Sequence, residues 1–113
     1  NPNNPDGYNG RGWLKANIKE YKSALVDLNK AIELDSKCAY CYDSRAFSKL
    51  GSGDKEGALS DYSRAIELEP ENAIYYQGRA KVKQSMGDNA GAEADNAKAK
   101  ELEQKAKESE NEN

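Results

Sequence analysis

The sequence predicts an all-α fold in which three helix hairpins follow one another as a repeat array. Two observations lead to this prediction. The chain of 113 residues matches itself when it is shifted by 34 residues, and the second half of each 34-residue unit carries apolar residues at helical spacing. We predict helices at residues 6–18, 21–34, 39–51, 55–68, 73–86 and 90–107.

The repeat is visible at positions that hold the same residue type in all three units. So many triples at one spacing, without a gap, do not arise by chance. They are Tyr8, Tyr42 and Tyr76; Arg11, Arg45 and Arg79; Lys15, Lys49 and Lys83; Ala24, Ala58 and Ala92; Asp27, Asp61 and Asp95; Ala31, Ala65 and Ala99; and Leu34, Leu68 and Leu102.

The first four residues align with the ends of the first two units. Residues 1–4, Asn-Pro-Asn-Asn, lie 34 residues before residues 35–38 and 68 before residues 69–72. We interpret them as the end of a preceding repeat, in a chain cut from a longer protein. A disordered linker of Asn and Pro is the alternative.

The second helix of each unit has the clearer pattern. Ala24, Leu25, Leu28, Ala31 and Ile32 form an apolar stripe with helical spacing, and the same positions are apolar in the second unit. A strand would require strict alternation instead. The pattern therefore predicts a helix over residues 21–34 and another over 55–68.

Glycine and aspartate separate the two helices of the second and third units. Glycine tolerates the left-handed conformation after a helix, and aspartate accepts hydrogen bonds from the free amides of the next one. These pairs are Gly53–Asp54 and Gly87–Asp88, while the first unit has Lys19–Glu20 instead. Pro70 ends the second unit, because proline cannot continue a helix.

The last helix differs from its two counterparts. Glu93, Asn96 and Lys100 are polar where the earlier units have large apolar residues, although the alanines remain. A capping helix needs such a polar outer face, so we expect the array to stop here. Few apolar groups follow, and we expect a disordered tail over residues 107–113.

These residues resemble the tetratricopeptide repeat, whose unit is a 34-residue helix hairpin. Small residues stand where the two helices of that family touch, at Gly12, Ala46 and Ala80. The resemblance implies a right-handed superhelical α-solenoid. Its units are residues 5–38, 39–72 and 73–106, the third with a capping second helix.

The composition excludes several classes of function. Lys and Arg number 17 and Asp and Glu 20, a net charge of −3, whereas nucleic-acid binders carry a basic excess. The chain has no histidine, so it cannot form Ser-His, Cys-His or His-metal arrangements. No apolar run is long enough to enter a membrane. We therefore expect neither an enzyme nor a cofactor.

Cys38 and Cys41 form a single C-x-x-C motif. A redox role lacks the strand–helix–strand context of such motifs, and a zinc site would need two further ligands from another chain. We interpret both as small residues at a repeat junction, with redox and metal roles as alternatives. Two cysteines are compatible with a reducing interior or with export, and of these compartments we prefer the cytoplasm.

The charged triples have two interpretations. They could form a row of charged side chains that binds a partner, or each first-helix arginine could pair with the aspartate of the second helix. We favour the intramolecular pairs, because ligand contacts usually differ between repeats.

Resemblance to the family implies that the first helix of each unit lines a concave groove. Side chains there vary between units, as expected of a recognition surface, and include the only Trp and Phe. We predict that the groove binds a protein or peptide partner. The predicted groove residues are Asn9, Trp13, Asn17, Tyr40, Asp43, Phe47, Leu50, Ile74, Gln77, Lys81 and Gln84, and Asp6 begins the same face.

Three alternatives accompany this prediction. Trp13 or Phe47 could instead belong to the core. The chain could be an assembly element that self-associates through its uncapped N-terminal edge. The family also includes clamps for the carboxylate of chaperone tails, but no cation stands at the corresponding positions, so we do not expect that activity. These positions are Asn9, Trp13, Ser44, Ile74 and Gly78.

Overall fold

The computed structural model describes residues 4–112, and within this range it contains six helices and no strand. The helices form three consecutive hairpins, and each predicted helix is present to within one or two residues except at the C-terminus. Their bounds are α1 Asp6–Asn17, α2 Tyr21–Leu34, α3 Ala39–Ser52, α4 Lys55–Leu68, α5 Ala73–Ser85 and α6 Asn89–Glu112.

The hairpins stack in a row. Helices pack within each hairpin, and α3 also contacts α1, α2 and α5. Across the described residues the first hairpin makes no contact with the third, so the array is open and not a closed bundle. The predicted all-α solenoid is therefore confirmed.

Small residues allow the helices of a hairpin to approach closely. Ala24 and Ala58 are fully buried. At Gly12, a Cβ atom would lie 2.6 Å from Cγ of Leu28, so only glycine fits without displacing α2. The core is consequently a series of small clusters, and the cluster of Ala46, Ala58 and Tyr62 also includes Val82 of the third hairpin.

The predicted glycine turns are confirmed. Gly53 and Gly87 have φ values of 94° and 85°, in the left-handed region. The carboxylates of Asp54 and Asp88 each accept a 2.9 Å hydrogen bond from a backbone amide of the following helix. In the first hairpin Lys19 occupies the left-handed position with φ of 67°, and the side chain of Glu20 makes no capping bond.

The charged triples are intramolecular, as we favoured. In each hairpin a buried aspartate of the second helix receives hydrogen bonds from the arginine of the first helix, and the lysine one turn later binds the same carboxylate. Arg11 and Lys15 lie 2.7 and 2.9 Å from Asp27. The hydrogen bond from Arg11 is the main reason that the pKa of Asp27 is lowered.

The expected disordered tail is wrong over residues 107–112, where α6 continues to Glu112. The extension, Lys-Glu-Ser-Glu-Asn-Glu, consists mostly of Glu and Lys, which are strong helix formers, and the amide of Gln104 donates a 3.4 Å hydrogen bond to Glu108 one turn later. In the turn before it, Lys105 lies 3.3 Å from Glu101. Sparse apolar content argued for disorder, but propensity and these pairs sustain the helix. Residue 113 lies outside the described residues.

The preceding-repeat interpretation mostly falls on residues 1–3, which lie outside the described residues. Asn4 is described, and its side-chain oxygen accepts a 2.8 Å hydrogen bond from the amide of Asp6. Asn72, between the second and third hairpins, accepts the same bond from Ile74. Of the described helices, none is long and apolar enough to span a membrane.

Candidate functional site

The first helices of the first two hairpins meet at an aromatic pair. The ring centroids of Trp13 and Phe47 are 5.0 Å apart, with the planes tilted by 46°. Phe47 is partly buried against the cluster that contains Ala24 and Leu28, whereas Trp13 is 41% exposed. Phe47 therefore belongs partly to the core, and Trp13 presents a large apolar ring to solvent.

A second contact lies two turns earlier on the same pair of helices. The hydroxyl of Tyr40 donates a hydrogen bond to the carboxylate of Asp6. This bond is the main cause of a raised pKa for Tyr40, followed by partial burial. Tyr40 is thus oriented by its partner and still exposes 43% of its surface.

Asn9 and Asp43 occupy the equivalent positions between these two contacts. Both contacts join residues 34 apart, so α1 and α3 run parallel and in register, and Asn9 faces Asp43. The side-chain oxygen of Asn9 is buried without a hydrogen-bond partner. The carboxylate of Asp43 has no hydrogen bond or ion pair to any described residue, and burial raises its pKa to about 6.

The residues predicted on the third hairpin are not joined to this group. Gln77, equivalent to Asn9 and Asp43, donates a 2.7 Å hydrogen bond to Glu103 of α6. Ile74 lines a cleft of about 670 Å³ between the turn before α5 and the middle of α6. Gln84 lines another cleft against the start of α6, and Lys81 is exposed. Gln77, Ile74 and Gln84 therefore lie beside α6.

Two further predicted residues have local roles. The amide of Asn17 donates a 2.8 Å hydrogen bond to the carbonyl of Trp13 in the same helix. Leu50 packs against the core cluster of the second hairpin, and its equivalent in the first hairpin is the buried Ala16. The structure therefore brings together Asn9, Trp13, Tyr40, Asp43 and Phe47, with Asp6, and we call these six residues the groove face.

The positions that correspond to the chaperone-tail clamp carry no cation in the structure. Ser44 is buried and donates a hydrogen bond to the carbonyl of Tyr40, and Gly78 lies directly beneath the ring of Tyr62. The group that the groove face presents instead is the acidic Asp43.

Cys38 and Cys41 are joined by a disulfide at the start of α3. Both are buried with Ala31 in a cluster at the junction of the first two repeats, as expected of small junction residues. The described residues contain no group of three or more Cys, Asp or Glu side chains suited to a metal ion.

The sequence predicted an uncapped N-terminal edge without naming its residues, and in the structure Gly7, Gly10 and Leu14 are exposed there. The residues equivalent to Leu14 are Ser48 and Val82, both fully buried, yet Leu14 is 67% exposed. A Cβ atom at Gly7 or Gly10 would meet nothing within 4 Å. The 34-residue alignment sets Leu14 against Ser48 and Val82, but the difference in their burial is visible only in the structure.

Comparisons with known proteins agree with this architecture. A sequence model of the tetratricopeptide repeat matches residues 5–38, and a search of curated proteins found no match. Three of the similar solved structures are MamA, PcrH in complex with the chaperone-binding region of PopB, and the first TPR of Spaghetti (RPAP3) bound to the HSP90 peptide SRMEEVD.

These structures share the fold at low sequence identity. MamA has a TM-score of 0.87 and 23% identity over 96% of this chain and 63% of MamA. The PcrH structure has a TM-score of 0.81 and 19% identity over 87% of this chain and 79% of PcrH. The RPAP3 structure has a TM-score of 0.85 and 18% identity over 91% of this chain and 82% of the RPAP3 chain. The chain spans less than two thirds of the MamA structure. The sequence match identifies residues 5–38 as a tetratricopeptide repeat, and the 34-residue period and the hairpin stack continue the same architecture through the second and third hairpins.

Proposed function

We propose that this chain is a protein-interaction scaffold that binds an extended peptide or protein segment along the groove face. The observation that carries the proposal is the exposed Trp13, held against Phe47 beside side chains that have unused hydrogen-bonding capacity. Large aromatic anchors of this kind dominate binding energy at interfaces. The complexes of PcrH and RPAP3 support the same kind of use for the fold.

The role we propose is not enzymatic and does not involve nucleic acid. The chain lacks histidine, and its net charge of −3 gives it no attraction to phosphate. No metal, cofactor or redox role is proposed for the buried disulfide.

The test starts from a displayed library of short random peptides selected against the wild-type chain. Selected peptides are synthesised with acetylated N-termini and measured against Trp13→Ala and, as a control, Val26→Ala. Val26 is an apolar residue of α2 that is 69% exposed. We expect Trp13→Ala to weaken binding at least about tenfold, as for an interface anchor, and Val26→Ala to change it little.

Unfolding midpoints of both variants provide the stability control. The proposal fails if no peptide is selected, or if selected peptides bind Trp13→Ala as tightly as wild type. If Trp13→Ala loses much stability while affinity is kept, Trp13 belongs to the core.

A second candidate is self-association through the N-terminal edge, with a second copy of the chain as the partner. The exposed Leu14 at a position buried in both other hairpins supports it, and Gly7 and Gly10 would let another helix approach the backbone of α1 closely. Leu14→Ser installs the residue of the second repeat, and Val26→Ser is a control of similar exposure. A mass that rises with concentration for wild type and the control, but not for Leu14→Ser, is expected; a monomeric wild type would refute the candidate.

A further inference from the structure

The groove face contains a position built from hydrogen-bond acceptors. Asp43 contributes a carboxylate and Asn9 a buried amide oxygen, and neither has a partner among the described residues. The equivalent residue of the third hairpin, Gln77, is satisfied by Glu103. The unused acceptors are therefore a feature of one place, between the first and second hairpins.

Leaving these acceptors unpaired is costly for the folded chain. The buried amide oxygen of Asn9 loses its hydration and gains nothing in return, and the partly buried carboxylate of Asp43 keeps only part of its hydration. A ligand that donates to both atoms would recover this free energy. An ammonium or guanidinium group suits the position, since both carry several N–H donors and a positive charge and neither has an acceptor.

The surroundings restrict how such a cation could be presented. The Trp13–Phe47 pair lies one turn beyond Asn9 and Asp43, and the Tyr40–Asp6 pair one turn before them. A lysine or arginine side chain has a long apolar stem that can lie on the Trp13 ring while its charged end reaches the carboxylate. A small free amine has no such stem.

We propose that the Asn9–Asp43 position receives a lysine or arginine side chain of the bound peptide, with its aliphatic stem or an apolar neighbour on Trp13. This inference rests on the proposed function, because the cation is carried by a peptide in the groove. It makes the preferred partner basic at one position, in contrast to the acidic peptide SRMEEVD bound by RPAP3.

The test uses the selected, N-acetylated peptides, so that a free α-amino group cannot supply the cation. Each lysine or arginine of the peptide is replaced by glutamine, and both peptides are measured against wild type and Asp43→Asn. We expect the replacement to weaken binding to wild type about tenfold or more, and to Asp43→Asn by less than about threefold. Glu93→Gln, which removes an exposed carboxylate of α6, is the control and should behave as wild type.

The outcomes separate this inference from the proposed function. If selected peptides depend on Trp13 but contain no basic residue, or lose the same affinity against wild type and Asp43→Asn, the basic-residue inference is wrong and the groove function stands. If the selected peptides do not depend on Trp13, both are wrong. Asn9→Ala gives an independent check, since it should weaken the basic peptide more than its glutamine counterpart.

Discussion

Removing the charge of Asp43 should stabilise the protein at neutral pH and leave its stability unchanged in acid. Burial raises the pKa of this carboxyl from 3.8 to about 6, and no cation of the described residues opposes that shift. Each pKa unit corresponds to about 1.4 kcal/mol, so the charged form costs the folded state about 3 kcal/mol at most. Because water reaches part of the side chain, we expect about 2 kcal/mol from Asp43→Asn.

The pH dependence follows from the direction of the shift. Below about pH 4 the carboxyl is protonated in both the folded and unfolded chains, and the variant gains nothing. Between about pH 4 and pH 6 the unfolded chain releases its proton first, so wild type loses stability relative to Asp43→Asn. Above about pH 6 the difference reaches its full value and stays constant.

Few other groups complicate this comparison. The titratable groups that sense the charge of Asp43 are Tyr62 of α4 and Tyr75 of α5, and burial raises the pKa of both, so neither changes charge in this range. Asn9, which faces Asp43 from α1, is neutral. Asp27 has a lowered pKa and loses its stabilising charge in acid, but it does so in both proteins and cancels in the difference.

The assay is urea unfolding followed by helical circular dichroism at several pH values. The dependence of unfolding free energy on urea should be the same for wild type and Asp43→Asn, which confirms that only stability has changed. Glu93→Gln, an exposed carboxylate, should stay within about 0.5 kcal/mol of wild type at every pH. A wild type that is more stable than Asp43→Asn at neutral pH would refute the reasoning, because it would mean that the carboxylate has a partner.

Two further predictions concern other parts of the fold. Lys19→Gly, which copies the glycine of the other two turns, should raise the unfolding free energy by about 1 kcal/mol, because it removes a lysine from the left-handed conformation. Urea unfolding measures this, and a loss of stability would contradict it. Thiol titration of the denatured, unreduced chain should detect no free thiol at Cys38 or Cys41. Reduction should lower the unfolding free energy by about 2 kcal/mol, as expected for so short a loop. Two reactive thiols before reduction would show that the disulfide is absent.

The fold could be predicted from sequence because its rules are local and repeated. Helix α4 begins at Lys55 because Asp54 caps it, and this turn is encoded within a few residues. The ion pair between arginine and aspartate within each hairpin was also predictable, since the two residues recur at the same spacing in all three units. The end of α6 was not, because sparse apolar content was given more weight than helix propensity.

The candidate site was predicted only in part. Family resemblance placed Trp13, Phe47, Tyr40, Asn9 and Asp43 on one face, and contacts between α1 and α3 join the first three of these to neighbours across the repeat boundary. Of the remaining predicted residues, Leu50 packs against the core, Ile74, Gln77 and Gln84 lie beside α6, and Asn17 and Lys81 are exposed.

By itself, the sequence determined the period, the helices and the pairing within each hairpin, because hydrogen bonds and side-chain contacts one turn apart decide these locally. Tertiary structure decided which side chains remain without partners. Asn9, Asp43 and Gln77 stand at the same repeat position, yet only Gln77 reaches a partner, the Glu103 side chain of α6. Leu14 is likewise exposed while Ser48 and Val82 are buried, because a side chain's burial depends on the neighbouring hairpin and not on its own place in the repeat.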